Sequence, residues 1–243
     1  MTREHSNIRQ FVFLDAGGTL LRIARLEEIL AEVCEEAGFH IAPEEMRPIL
    51  ERAMGRMTTP GPTSLDLQAH RRWWTEFVEG VLDEVGFTGS RQQVLAQLWR
   101  DYRSGHWVGL FPDTVEALDL LSEHGWRLGV ISNWDDTLEE FLDRLQISRY
   151  FEVVVSSYRV GYEKPDVRIF EHALTVTKAH RESSWFVGDN LELDHEGAQQ
   201  AGLRTILVDY DGYYSELERT PCPVVRSLKE AAQLIIGSQS GAP

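Results

Sequence analysis

Three polar clusters in this chain each follow a short apolar run and a fourth sits in a loop, and their side chains together could handle an anion. Asp15 ends the run Phe11-Val12-Phe13-Leu14 and precedes Ala16-Gly17-Gly18. A carboxylate so placed can act as a nucleophile, and Gly17 and Gly18 let backbone amides approach a bound anion closely. The same residues can also close an Asx-turn. Ser132 and Asn133 follow Leu128-Gly129-Val130-Ile131. Their hydroxyl and amide can bind an anion or cap the helix beyond, a task open to Asp135 or Asp136 as well. Lys164 stands before Pro165 and is one of three lysines, with Lys178 and Lys229, among 24 basic residues otherwise all arginine. A lysine is a rare choice here, which weakens its reading as an ordinary solvated cation. Asp189 follows Trp185-Phe186-Val187-Gly188, and Asp194 follows shortly after. Each can simply end a strand or cap a helix. Two carboxylates on one rim repel unless a cation lies between them, and an oxygen-only donor set favours Mg²⁺.

The elements that must position these groups follow from periodicity. Continuous apolar runs at Phe11–Leu14, Leu128–Ile131, Val153–Val155, Trp185–Val187 and Thr205–Val208 predict strands buried on both faces. Helical spacing over 113–124, 136–146, 166–177 and 195–201 alternates with them, which predicts a doubly wound α/β fold with a parallel sheet. In such sheets ligands bind at the carboxyl ends of the strands. Asp15, Ser132, Asn133, the loop with Lys164, and Asp189 then share one rim.

Residues 23–104 break this alternation. Helix-like runs at Leu26–Ala37, Pro43–Met54, Arg71–Val85 and Arg91–Tyr102 are separated by turn signals, with no apolar strand between them. The expected organisation is a core of residues 1–22 and 105–236, an inserted all-helical cap of 23–104, and a flexible Ser/Gly-rich tail of 237–243.

At 243 residues the chain has room for such a core plus insertion, and a net charge of −15 opposes nucleic-acid backbones and anionic membranes. A small anionic molecule is the partner expected, bound by a local device, to a monomer or homodimer. Cys34 and Cys222 form no metal-ligand spacing, and no apolar stretch suits a signal peptide or membrane span, so a reduced cytoplasmic setting is expected.

The segments FVFLDAGGTL, VISNWD, YEKPD and FVGDNLELD with EGAQQAG resemble the four ordered motifs of the haloacid dehalogenase superfamily. The likeness spans residues 8–24 and 105–210, and the insertion falls where subclass I members carry a helical cap. The subgroup it most resembles consists of dehalogenase-like hydrolases with GDN in the last motif. The resemblance implies a phosphatase in which Asp15 attacks phosphorus to form an aspartyl-phosphate. Ser132 and Asn133, with Gly17 and Gly18, would bind the phosphoryl group, and Lys164 would neutralise charge on it and on the nucleophile. Asp15, the Gly17 carbonyl and Asp189 would hold Mg²⁺, supported by Asn190 and Asp194.

One departure matters. Phosphatases of the family carry a second Asp two residues after the nucleophile as general acid and base, and Gly17 stands there instead. Proton transfer of this kind contributes ~10²- to 10⁴-fold. The loss is met by a substrate with a good leaving group, by an acid such as His106, His195, Asp113 or His70, or by a role without catalysis. The rival activity is metal-independent 2-haloacid dehalogenation, whose DAYGTL motif DAGGTL also resembles, although those enzymes usually lack an acid at the place of Asp189. Phosphonate hydrolysis requires a cap lysine, and none precedes Lys164. The non-enzymatic rival is a binding or regulatory module on the same fold. Within the cap, Trp73-Trp74 beside Arg71-Arg72 can read a substrate, pack the cap core or meet a second copy, and Thr58 to Ser64 can form a plain connection, a specificity loop or a hinge.

Overall fold

The first strand, β1 (Phe11–Leu14), has all four side chains buried, as an uninterrupted apolar run requires. In the computed structural model, which describes residues 9–57, 63–216 and 219–239, β1 lies at the centre of a six-stranded parallel sheet. The chain divides into two compact units, one comprising residues up to Arg22 and from Leu110 onward, the other Ile23–Gly109. It passes between them through β2 (Leu21–Ile23) and, further on, β3 (Val108–Leu110), which pair as a two-stranded sheet. The return to the core thus falls at Gly109 rather than near Ser104, because β3 extends the second passage.

Between those passages lie α1 (Leu26–Glu36), α2 (Pro43–Arg56), α3 (Leu67–Glu84) and α4 (Arg91–Ser104). Asp66 starts α3 by accepting from the amides of Gln68 and Ala69, and Gly105 ends α4 with a left-handed φ of 70°. Leu30, Val33, Met46, Trp73, Phe77 and Val81 are buried together in this unit. Trp73 stacks on Phe77 at 5.5 Å, which assigns it to the packing of the helical unit, whereas Trp74 is only partly buried against the same cluster. Thr58 to Pro62, most of the Thr58 to Ser64 stretch, lie outside the described residues.

The core continues with α5 (Thr114–Glu123), β4 (Arg127–Ser132), α6 (Leu138–Arg144), β5 (Phe151–Ser156), α7 (Ser157–Val160), α8 (Val167–Thr177) and β6 (Trp185–Gly188). A π-helical turn, Leu191–Glu196, leads into α9 (Gly197–Gln200), followed by β7 (Arg204–Val208), β8 (Val224–Val225) and α10 (Leu228–Gln239). Strand order is β5-β4-β1-β6-β7-β8. Leu14 is in register with Val130 on one side and Val187 on the other. After β1 the sheet is built outward through β4 and β5, then on the opposite side through β6, β7 and β8. The order therefore reverses around β1, where sheets of this kind open a crevice at their carboxyl edge. Phe11, Phe13, Ile131, Phe170 and Phe186 pack one buried cluster of the core, and each such side chain contributes about 1.5–3 kcal/mol.

The tail differs from expectation. Leu228, Ala231, Ala232 and Ile235 are buried, and this apolar stripe carries α10 through Gly237 to Gln239. Residues 240–243 lie outside the described residues. Among the described residues no helix is long and apolar enough to cross a membrane.

Candidate active site

Asp15 leaves the end of β1 between β4 and β6, and its amide donates to the Val187 carbonyl at 2.9 Å. The Ala16 carbonyl then accepts from Leu20 and Leu21 at 2.9 and 2.7 Å, folding Gly17, Gly18 and Thr19 into a tight turn. Gly18 has φ +75°, and a Cβ there would lie 2.3 Å from Asp189 Oδ2. The glycine serves both the left-handed turn and the close approach of Asp189.

Lys164 arrives from the loop after α7, although it is 30 residues away in sequence from its nearest acidic partner in the last motif. Asn133 clamps its main chain, with Nδ2 donating to the Lys164 carbonyl at 3.0 Å and the Lys164 amide donating to Oδ1 at 2.6 Å. Asn133 thus positions the main chain of Lys164. Turn closure before α6 falls to Asp135, which accepts from the Thr137 amide at 2.9 Å. Asp166 accepts from the Arg168 amide at the start of α8, and hydrogen bonds from Arg168 hold its carboxyl at about 2. Lys164 is 4% exposed, and its Nζ lies 2.7 Å from Asp15 Oδ1 and 2.6 Å from Asp194 Oδ1. Burial alone would lower the ammonium pKa, but the two carboxylates hold it above its usual value. Ser132, at the end of β4, lies close enough to the Asp15 carboxyl to draw its pKa down.

Asp194 is almost fully enclosed. Its Oδ1 accepts from Lys164, and its Oδ2 accepts from the amides of Asp189 and Asn190 at 3.0 and 2.9 Å. Both oxygens are therefore occupied, which suits a supporting part. Gly188 permits this packing, since a Cβ there would meet Asp194 Oδ2 at 2.3 Å. Asn190 Oδ1 accepts from Glu192 and Leu193, capping the π-helical turn, so the helix starts earlier than the expected residue 195.

Asp15, Asp189 and Asp194 each offer an oxygen, all within 4.8 Å of one another. Crowding of this kind raises carboxyl pKa values. Burial, then the charge of Asp194, holds Asp15 above its usual range despite the opposing Lys164. Asp189 is pushed up to about 7 by burial and by the charges of Asp15 and Asp194, with Lys164 opposing. Three carboxylates face one ammonium, leaving an excess of two negative charges when all are ionised. An all-oxygen donor set with that excess fits a hard divalent cation, and Asp15 and Asp189 are the two carboxylates still free to face it.

The proposed substitutes for a missing acid have other partners. His195 Nδ1 is 2.7 Å from Thr205 Oγ1, and Asp113 accepts from the Tyr210 hydroxyl at 3.1 Å and the Lys229 amide at 2.8 Å. Within the helical unit, His106 lies 2.9 Å from Glu32 and His70 lies 3.2 Å from the Thr63 carbonyl. A further contributor comes from the loop beyond β7. The Tyr214 hydroxyl donates to the Asp189 carbonyl at 3.1 Å and accepts from the Leu191 amide at 3.0 Å. Its bonds go to main-chain groups, which leave no motif; the only local signal is the turn composition Asp209-Tyr210-Asp211-Gly212.

Comparison with known proteins gives a consistent set of relatives. A family model described as haloacid dehalogenase-like hydrolase matches residues 27–208. The chain is 34% identical over 140 residues to haloacid dehalogenase-like hydrolase domain-containing protein 3 of Xenopus laevis, covering 57% of each chain. It thus spans little more than half of that relative's length. It is 30% identical over 213 residues to phosphoserine phosphatase of Thermus thermophilus, covering 85% of this chain and 83% of that one. Among solved structures, a HAD phosphatase from Thermococcus onnurineus superposes with a TM-score of 0.58 at 21% identity, over 93% of this chain and 97% of the other, a likeness of fold.

Proposed function

The chain belongs to the haloacid dehalogenase-like hydrolase family, and from that premise we propose that this hydrolase is a Mg²⁺-dependent phosphatase acting on a small phosphorylated metabolite through an Asp15 phosphoenzyme. The observation that carries the reading is the lysine-centred carboxylate cluster: Lys164 Nζ joins Asp15 to Asp194 while Asp189 stands beside them, pushed up to about 7 by burial and like charge. Phosphoserine phosphatase among the relatives supports the phosphoryl branch. Asp189 supports it as well, because a third carboxylate in the cluster has a use when a cation is held there and only a cost otherwise.

Asp15 and Asp189, with the Gly17 carbonyl, would hold Mg²⁺, and the bound ion would offset charge on the phosphoryl oxygens. Lys164 opposes the upward shift of the Asp15 carboxyl and offers its ammonium to an equatorial oxygen. Ser132 would hydrogen-bond the transferring group beside Asp15, and Asn133 fixes the main chain from which Lys164 reaches in. An Asp15 oxygen then attacks phosphorus, and the ester oxygen leaves with the bonding electron pair. Water attacks phosphorus in a second step, releasing inorganic phosphate and restoring the carboxylate. Gly17 provides no proton for the leaving oxygen, so substrates whose leaving group is already stable as an anion are favoured.

The test is a panel of phosphorylated metabolites, with and without Mg²⁺, and with Asp15→Asn as the control. Phosphate release that needs both Mg²⁺ and Asp15, and that is faster on p-nitrophenyl phosphate or acetyl phosphate than on sugar phosphates, supports the reading. Halide release from 2-chloropropionate in EDTA, without phosphate release from any member of the panel, would move the assignment to dehalogenation.

A further inference from the structure

The loop that carries Asp189 is tied from a direction the family motifs do not cover. Main-chain amides at the start of a helix have no partner within it and must find one outside. In the turn after Asp189 each is accounted for. Asp189 and Asn190 donate to Asp194 Oδ2, while Glu192 and Leu193 donate to Asn190 Oδ1. The amide between them, that of Leu191, donates to the Tyr214 hydroxyl at 3.0 Å, and the same hydroxyl donates to the Asp189 carbonyl at 3.1 Å. A single phenol oxygen thus bridges the carbonyl of residue 189 and the amide of residue 191, fixing the two intervening peptides.

Tyr214 is itself held in place. Asp209, 4% exposed and directly after β7, accepts from the amides of Gly212 and Tyr213 through Oδ1 at 2.8 Å each, and from the Tyr214 amide through Oδ2 at 3.0 Å. Its own amide donates to the Val225 carbonyl at 2.8 Å, and its carbonyl accepts from Arg226 Nη1 at 3.2 Å. Because Gly188 on β6 is in register with Leu207 on β7, the loops leaving the two strands run side by side. A carboxylate anchored at one strand end thereby shapes a turn that presents a hydroxyl to the loop at the other.

We propose that Tyr214 is a positioning residue for the cation site, setting the Asp189 carboxylate through its main chain, with Asp209 setting Tyr214. This rests on the reading of Asp189 as a metal-holding group. Groups that orient metal ligands are typically worth 10- to 100-fold in affinity. Tyr214→Phe keeps the ring and removes only the bridging oxygen. The experiment uses the full chain, stripped of metal with EDTA and titrated with Mn²⁺, free Mn²⁺ being read by its EPR signal. Alongside the wild type and Tyr214→Phe, Asp189→Asn serves as the metal-site control, and phosphatase rates are measured across Mg²⁺ concentration. The expected result is a Kd for Mn²⁺ raised about 10-fold or more in Tyr214→Phe. The Mg²⁺ requirement should rise in parallel, with kcat at saturating Mg²⁺ close to wild type. Wild-type Mn²⁺ affinity in Tyr214→Phe, while Asp189→Asn has lost binding, would overturn the assignment of Tyr214 and leave the metal site standing. A fall in kcat with unchanged Mn²⁺ affinity would overturn it too. Equal binding by the wild type and Asp189→Asn would overturn the metal site and the Tyr214 assignment together.

Discussion

Replacing Asp189 by Asn should make the metal-free protein more stable, not less, and the gain should depend on pH. The Asp189 carboxyl is raised from an ordinary value of 3.8 to about 7 by burial and by the charges of Asp15 and Asp194. Each pKa unit corresponds to ~1.4 kcal/mol, so full ionisation costs the folded protein at most about 4 kcal/mol. Partial access to solvent reduces this to an expected value of about 2 kcal/mol. Since the folded pKa lies above the unfolded one, the folded state binds the proton more tightly. The cost is absent below about pH 4, grows as pH rises, and is complete above about pH 7. Asn is close to isosteric, carries no charge and removes this dependence. Urea unfolding in EDTA, followed by tryptophan fluorescence, should give equal stabilities near pH 4 and a variant more stable by about 2 kcal/mol at pH 8. Mg²⁺ should reverse the order at pH 8, since a ligand at 100 times its Kd stabilises by about 2.7 kcal/mol and the variant has lost its site. A variant as stable as wild type at pH 8 in EDTA, or a gain of the same size at pH 4, would refute the view that Asp189 is strained by its neighbours.

The other expectations concern the same rim. Gly17→Asp should raise turnover of sugar phosphates at saturating Mg²⁺ by up to ~10²- to 10⁴-fold, with little change on p-nitrophenyl phosphate, as read by initial rates on both substrates. Lys164→Met leaves the buried carboxylates of Asp15 and Asp194 without their shared cation, so thermal unfolding should show a loss of about 3–5 kcal/mol, larger at pH 8 than at pH 5, together with loss of activity. Gly18→Ala forces a side chain into a left-handed φ and against Asp189 Oδ2, so Mg²⁺ titrations should show weakened affinity and melts a loss of about 1–3 kcal/mol.

Much of this was legible in the residues because the physics was local. A run such as Phe11–Leu14 has no polar face to expose, so it belongs at the centre of a doubly covered sheet, and the group at its end belongs on the rim. The same reasoning located Ser132 and Asp189. Lys164 was visible through its rarity in a chain that otherwise uses arginine. The illegible parts depend on partners far away in sequence. Asn133 looked like a cap or an anion ligand, yet its amide meets the main chain of a residue 31 positions on. Tyr214 acts on backbone groups 23 and 25 positions back. Strand β8 has two residues, too few for periodicity to register, and α10 passes through Gly237, where composition suggested a tail. Its buried stripe of Leu228, Ala231, Ala232 and Ile235 outweighs that one glycine, whose cost in a helix is about 1 kcal/mol.

The central claim is that Asp15 becomes covalently phosphorylated. Rapid acid quench of the Mg²⁺-loaded protein with ³²P-labelled acetyl phosphate, followed by peptide mapping, tests it most directly. A hydroxylamine-sensitive label is expected on the peptide containing Asp15, formed and lost at rates compatible with turnover and absent in Asp15→Asn. Steady phosphate release with no label on Asp15, or a label that persists in Asp15→Asn, would contradict it.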